Sequence, residues 1–293
     1  MEDALLTTKE VSKYLKINEK KVYQLIKEGK IPCTRIAGKW LFPKKSIERW
    51  IRESVEGEKD IFIAGSDDLI LKQLVSKYIE KSFPQSLAYY ADVGSLKGIL
   101  ALSCGKTFIA AIHLLDAETG EYNLPYLSRY LQNEEYAVIN LSYRNQGLIV
   151  NKGNPLGIKG IRDVVEKKAR FVNRNPGSGT RVLFDYYLNK LNIDPEEIIG
   201  YKNEVNKHLD VGLKILHGEA DAGLGIESVS SILHLDFIPI TQERFDLAIS
   251  KQHLYTKPMR DFLSLIDPVF IHTLFKKPAG YDLRDTGKII YHS

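Results

Sequence analysis

The chain has 293 residues, 44% of them hydrophobic and 27% charged, with a formal net charge of +4, the profile of a globular protein large enough for two or three compact units. No run of 18 apolar residues occurs, and acidic Met1-Glu2-Asp3 has no long apolar stretch behind it, so neither a membrane span nor a signal peptide is expected, and a cytoplasmic protein is. Cys33 and Cys104 are the only cysteines and the seven histidines lack HxxxH or HExxH spacing, which argues against a disulfide framework, a metal site and a cofactor.

Charge is unevenly placed. Residues 1 to 52 hold 13 Lys and Arg against 6 Asp and Glu, while the remainder has a balance of −3. A small basic module joined to a near-neutral one is the distribution expected when only the first part meets a polyanion. Within that module Thr7 stands three residues before Glu10, the spacing of a capping box, and Val11 and Leu15 follow on one helical face. Asn18 is placed to cap a second helix over Glu19 to Lys27 that buries Val22, Leu25 and Ile26, and Gly29 ends it. Ile31 to Ile36 and Trp40 to Phe42 read as short strands around the tip Ala37-Gly38-Lys39, and Pro43 opens a third helix through Ile47, Trp50 and Ile51.

Leu6 to Val11, Val22 to Pro32 and Gly38 to Pro43 closely resemble the excisionase and MerR-like winged helix-turn-helix family over about residues 4 to 52. The resemblance implies double-stranded DNA as a partner, with Lys20, Lys21 and Gln24 near base edges, Tyr23 and Lys27 on phosphates, and Arg35 and Lys39 making the wing's backbone contacts. Gln24 is the first choice for direct readout, since its amide pairs bidentately with adenine.

Residues 53 to 60 are polar and read as a linker or a helix extension. From Ile61 the texture changes to strand, loop and helix, repeated. Ile61 to Ala64 leads through Gly65-Ser66-Asp67-Asp68 into a helix over Leu69 to Glu80, and Leu87 to Ala91 leads through Val93-Gly94-Ser95 into Leu96 to Ser103. A third unit runs from strand Ala169 to Val172 through Arg174-Asn175-Pro176-Gly177-Ser178-Gly179-Thr180-Arg181 into a helix. Such alternation implies an α/β fold with mainly parallel sheets whose ligand sits beyond the carboxyl ends of the strands. The third loop is an anion cradle on its face: free amides and the positive end of a helix dipole, two hydroxyls, two glycines and two arginines.

Gly65-Ser66, Val93 to Ser95, Ile112 to Asp116, Thr119 to Asn123, Gln146 to Ile149, Gly153 to Pro155, Arg174 with Gly177 to Arg181, and Glu219 to Gly225 together look like the periplasmic-binding-protein-like domain of the molybdate-binding type. The resemblance runs from about residue 61 to 265. It implies a two-lobed type II domain over 61 to 293, with crossovers near Tyr143 to Gly147 and Phe237 to Thr241. Lobe one is then about 61–142 plus 240–293, and lobe two about 146–236; the tail from Lys276 either packs on lobe one or ends disordered.

The expected ligand residues are Ser66 and Ser95 from lobe one and Ser178, Gly179 and Thr180 from lobe two, with Arg181, Arg144 and Arg174 as candidate cations. Arg181 has an alternative partner in Asp185 at i+4. Asp67 and Asp68 either steady a helix N-terminus or face a ligand that brings a hydrogen, which molybdate, tungstate and sulfate lack. His113 and Tyr122 read equally as buried, hydrogen-bonded groups, and Asp221 as a loop anchor. No nucleophile, base and orienter set stands out, so an enzyme is not expected. The combined resemblance implies a one-component transcriptional regulator, a homodimer on a two-half-site operator, sensing molybdate or tungstate. An organic anion or amino-acid-like ligand, a phosphate-ester enzyme and an architectural DNA binder stay open as alternatives.

Overall fold

The computed structural model describes residues 4–56, 59–132, 134–275 and 279–293. It divides into two compact units, one ending at Lys59 and the other running from Asp60 to Ser293.

The first unit begins with β1 (Leu5–Thr7), α1 (Thr8–Leu15) and α2 (Glu19–Lys27), followed by β2 (Thr34–Ile36), β3 (Lys39–Pro43) and α3 (Lys44–Glu56). Thr7 and Glu10 form the reciprocal capping box, and the Asn18 side chain accepts from the Lys21 amide at 2.8 Å, so both helix starts follow from the sequence. Ala37 and Gly38, both at positive φ, make the two-residue turn that pairs Ile36 with Lys39. β1 pairs with β3 and completes a three-stranded antiparallel sheet; at three residues it is too short for its alternation to signal a strand. Val11, Val22, Ile31, Phe42 and Ile47 form the core. Helix α3 continues to Glu56, which makes the first part of the expected linker a helix extension; residues 57 and 58 lie outside the described residues.

The second unit opens with β4 (Ile61–Gly65), α4 (Leu69–Ser82), β5 (Ala88–Asp92), α5 (Ser95–Ser103), β6 (Ile109–Ile112) and α6 (Leu124–Tyr130). The 15-residue β7 (Tyr136–Val150) then leads to α7 (Ile161–Glu166), β8 (Phe171–Arg174), α8 (Gly179–Lys190), β9 (Glu204–Val205), α9 (His208–Leu216), β10 (Ala222–Ile226) and α10 (Glu227–Leu233). The equally long β11 (Asp236–Ser250) returns to α11 (Lys251–Leu254), α12 (Lys257–Leu263), α13 (Pro268–Leu274), β12 (Tyr281–Asp282) and β13 (Ile289–His292).

Strand order is β5-β4-β6-β11-β7-β10-β8-β9. β4 is parallel to β5 and β6, and β8 is parallel to β9 and β10, while β7 runs antiparallel to β10, β11, β12 and β13. The sheet is therefore mixed rather than mainly parallel. β7 and β11 pair along their whole length, and their ends serve different neighbours: β10 joins β7 at Gln146 to Val150, and β6 joins β11 at Asp246 to Ile249. One lobe thus grows on each end of a shared antiparallel pair. Register shifts at Pro239/Thr241 and Phe245/Asp246 bend that pair between the lobes.

In the first lobe Ile63, Leu71, Leu74, Phe245 and Phe262 fill one side of the sheet and Ile99, Ile112, Leu127 and Val138 the other. In the second, Phe171 stacks on Phe184 at 4.5 Å beneath α8, while Val172, Val211 and Val229 pack on the opposite face. Both faces are covered, so loops at the strand ends are left to carry function. The tail is ordered where described: β12 and β13 pair with β7 at Arg144 and Tyr143 and at Ile139 to Ala137.

Candidate functional site

On the first unit, Lys20, Lys21, Tyr23, Gln24 and Lys27 are all exposed along α2, and Arg35 and Lys39 are exposed on the β2–β3 hairpin. Val22 alone of that helix is fully buried, so the helix turns one face to the core and a basic face outward. Gln24 is not idle: it accepts from Lys21 Nζ at 3.1 Å and donates to Glu28 at 2.6 Å. Arg35 lies 5.5 Å over the Trp40 ring and donates to the Gly38 carbonyl at the hairpin tip.

On the second unit the loops after β4, β5, β6, β8 and β9 converge at the carboxyl ends of the strands. Gly94 and Gly177 face each other across the lobes, and the Leu96 amide donates to the Gly177 carbonyl at 3.3 Å. Gly179 opens α8 directly against His113; a Cβ there would stand 2.4 Å from the His113 carbonyl oxygen, so only glycine fits. Ser66, Ser95, Ser178 and Thr180 are all fully buried in this region. Ser178 Oγ caps α8 by accepting from the Arg181 amide, Ser95 Oγ accepts from the His113 amide, and Thr180 Oγ1 accepts from Gln146 Nε2. Acceptance leaves each of these hydroxyls its own hydrogen to give.

Behind the hydroxyls runs a buried charged chain. Arg144 donates Nε to Glu243 at 2.7 Å and Nη1 to Asp68 at 3.0 Å, and its guanidinium lies 4.3 Å over the Phe245 ring. Glu243 also meets His113 Nδ1 at 2.7 Å, and His113 Nε2 meets Ser66 Oγ at 2.6 Å. Burial opposes ionisation of Glu243, but Arg144 and His113 outweigh it and hold the carboxyl down at about 2. Burial pushes His113 below its ordinary value against the pull of Glu243. A neutral His113 beside an ionised Glu243 carries its proton on Nδ1, so Nε2 accepts from Ser66.

Arg144 is thus ion-paired with Glu243 and Asp68. Arg181 is ion-paired as well. It lies along the α8 flank, paired with Asp185 at 3.0 Å and Glu204 at 2.9 Å and stacked 4.2 Å over Tyr201. Asp68 caps α4 through the Leu71 amide and also accepts from Tyr281, and Asp67 pairs with Lys72. Asp221 fixes the turn after α9 through the backbone and guanidinium of Arg170. The Tyr122 carbonyl accepts from Arg244 beside a surface hollow of about 370 Å³ lined by Gly120 to Tyr122, Gln242 and Arg284.

Arg174 has a different fate. It ends β8, is 1% exposed, and places Nη2 on the Asn206 carbonyl at 2.7 Å, yet Nε and Nη1 have no hydrogen-bond partner. Burial lowers its pKa to about 10, against the pull of Asp67 and Asp92. Next to it His208 opens α9, fully buried, with neither ring nitrogen bonded and its ring centre 6.2 Å from that of His113. Gln146 Oε1 and Asn175 Oδ1 are also buried without partners. Sequence reasoning missed His208 because it stands in no motif; only the parallel register of β9 beside β8 brings it to Arg174. A partly unpaired buried guanidinium at a strand end has the chemistry of an anion partner.

The chain is similar to known proteins along both units. Residues 5–54 match a helix-turn-helix domain model, and residues 76–267, more than half the chain, match the PBP superfamily domain. The uncharacterized protein YvgK of Bacillus subtilis is 31% identical over 99% of this chain and 98% of its own length. Two solved structures share the fold: the tungstate ABC transporter protein of Geobacter sulfurreducens, at 12% identity and TM-score 0.54 over 75% of this chain and all of that one, and the Synechocystis CcmR regulatory domain in complex with 2-PG, at 12% identity and TM-score 0.53 over 75% and 98%. With two lobes built on one shared strand pair and loops gathered between them, the second unit belongs to the PBP superfamily, joined in this chain to an N-terminal helix-turn-helix domain.

Proposed function

We propose that the chain is a cytoplasmic, ligand-sensing DNA-binding regulator whose two-lobed unit responds to a small tetrahedral oxyanion, molybdate or tungstate. The observation that carries this reading is Arg174, buried with two N–H groups unpaired. A desolvated guanidinium costs several kcal/mol, about the scale that an entering anion returns through charge-assisted hydrogen bonds. Ser95, Ser178 and Thr180 then donate hydroxyl hydrogens, and the Gly179 and Thr180 amides at the start of α8 complete the shell. The commitment of Asp67 to Lys72 and of Asp68 to Arg144 removes the repulsion that two loose carboxylates would exert on a dianion. The tungstate protein among the structural relatives is consistent with this class of ligand.

A second reading, an organic anion, draws on the unpaired acceptors Gln146 Oε1 and Asn175 Oδ1 and on the 2-PG held by the CcmR domain. An inorganic dianion has no hydrogen for those oxygens, whereas a hydroxyl-bearing acid does. The Ser66–His113–Glu243 chain has the order of a nucleophile, a base and an orienter. Arg144 neutralises Glu243 and burial weakens His113 as a base, so the set acts as a clamp that fixes Ser66.

The DNA-binding form is proposed to be a homodimer, because one recognition helix reads one half-site. The test is DNA affinity of the full chain on fragments selected from genomic DNA, with and without tungstate. A change of about tenfold or more, corresponding to about 1.4 kcal/mol of coupling, is expected, in a direction set by which conformation the anion favours. Equal affinity in both conditions with each anion of a molybdate, tungstate and 2-PG panel contradicts the sensor reading.

A further inference from the structure

His208 has no part in the oxyanion shell described so far, and its position is costly. An imidazole has one nitrogen that donates and one that accepts when neutral, and a buried group with neither satisfied forfeits both bonds to water. Packing alone does not account for that. The ring stands at the first turn of α9, a nine-residue helix, two residues after Asn206, whose carbonyl Arg174 holds. It is 1% exposed, as is Arg174, so two unpaired nitrogen groups from neighbouring strand ends share one dry space.

We propose that the anion enters this space together with a proton and that His208 is the group that holds it. The inference rests on the anion-sensor reading and adds to it a residue, a stoichiometry and a pH dependence. The groups that face His208 are almost all cationic or able to become so: Arg174 from β8, Arg144 from β7, His113 from the loop after β6 and Lys72 from α4. Of the nearby carboxylates Asp67 is paired with Lys72 and Glu243 with Arg144 and His113, while Asp92 at the end of β5 lies 3.7 Å from Lys72 with Oδ2 free of hydrogen bonds and its pKa raised by burial. Without an anion, burial followed by the field of Arg174 keeps His208 neutral, well below its ordinary value.

A bound dianion reverses that balance. It gives Arg174 its missing acceptor and leaves one negative charge over, for which a protonated His208 is the nearest carrier. Both ring nitrogens then become donors, one turned to the anion. His113 is less suited to take the proton, because its Nε2 is already filled by the Ser66 hydroxyl and its Nδ1 by Glu243.

The linkage has a definite sign. A group neutral in the free protein and protonated in the complex makes the complex take up a proton, so affinity falls as pH rises between the two pKa values. The slope approaches about tenfold per pH unit where uptake nears one proton. Tungstate, molybdate and sulfate are suitable probes because they do not themselves change protonation near neutrality.

The experiment is calorimetric titration of the full chain with each of these anions at pH 7 in buffers of different ionisation enthalpy, from which the number of protons taken up is read directly. Uptake of between one half and one proton is expected for the anion that binds, falling to near zero in His208→Gln, which keeps a donor amide without a titrating group. Because uptake is measured first on the unaltered protein, misfolding of the variant does not decide the matter. Binding without proton uptake overturns the inference and leaves the anion reading standing. Uptake that survives intact in a folded His208→Gln protein also overturns it and places the proton elsewhere. If none of the three anions nor 2-PG binds, the anion reading itself fails and this inference with it.

Discussion

Three arginines of the second unit show that a cation's role is decided by the carboxylates within reach. Arg181 has Asp185 one helical turn away, Arg144 has Glu243 on the strand paired beside it, and Arg174 has only a carbonyl for one of its nitrogens. The first pairing is visible in the sequence as an i,i+4 spacing. The second joins residues 99 apart and depends on the β7–β11 register, in which Arg144 lies opposite Glu243. Glu243 offers a test of that buried chain. Its carboxyl sits at about 2 instead of 4.5, so it contributes stability that is present above about pH 4.5 and lost as pH falls through about 2. Denaturant unfolding against pH should show Glu243→Gln less stable by roughly 3–5 kcal/mol at pH 7, where it strands Arg144, with the difference from the unaltered chain shrinking by about 3 kcal/mol toward pH 2. A difference independent of pH would mean that the Glu243 pKa is the same in the folded and unfolded chain, contradicting the charge pairing, and one that grows toward pH 2 would mean that the carboxyl is held neutral in the fold.

At the scale of elements, the strand-loop-helix units carry the site because each ends its strand at the same edge and starts its helix with a small or hydroxyl residue. Gly179 marks how closely the lobes come together there. Gly179→Ala sets a methyl against the His113 carbonyl and ring, so the variant should lose anion affinity by at least about tenfold while each lobe stays folded, as read by titration and circular dichroism. Unchanged affinity would show that the lobes do not meet this closely in the bound state.

Much of this layer was legible beforehand. Capping at Thr7 and Asn18 and the helix starts after Asp68, Gly94 and Ser178 are written in local spacing, whereas the two long strands are foreshadowed only by the crossovers that the family resemblance implies. β1, β12 and β13 are not, because two to four residues carry too little alternation and gain their order from pairing with distant strands. The same holds for His208, which becomes part of the candidate site only through the neighbour its strand acquires. Asp67 and Asp68 were ambiguous for the opposite reason: a carboxylate at a helix start caps it or meets a ligand with the same residue spacing.

For the whole molecule, a helix-turn-helix domain and a PBP superfamily domain are joined in one chain, the arrangement on which the proposed sensor rests. Coupling between them requires that the anion favour one arrangement of the lobes over another, since a ligand with equal affinity for both shifts nothing. All of this depends on an anion meeting Arg174. The most direct test is calorimetric titration of the full chain with tungstate, molybdate, phosphate and 2-PG, repeated on Arg174→Gln and Arg181→Ala. One of the anions should bind the unaltered protein. Arg174→Gln should weaken it by about 100-fold or more, the loss of two charge-assisted hydrogen bonds, whereas Arg181→Ala should change it by less than about threefold. Equal binding by the unaltered protein and Arg174→Gln would contradict the account and place the ligand elsewhere in the fold.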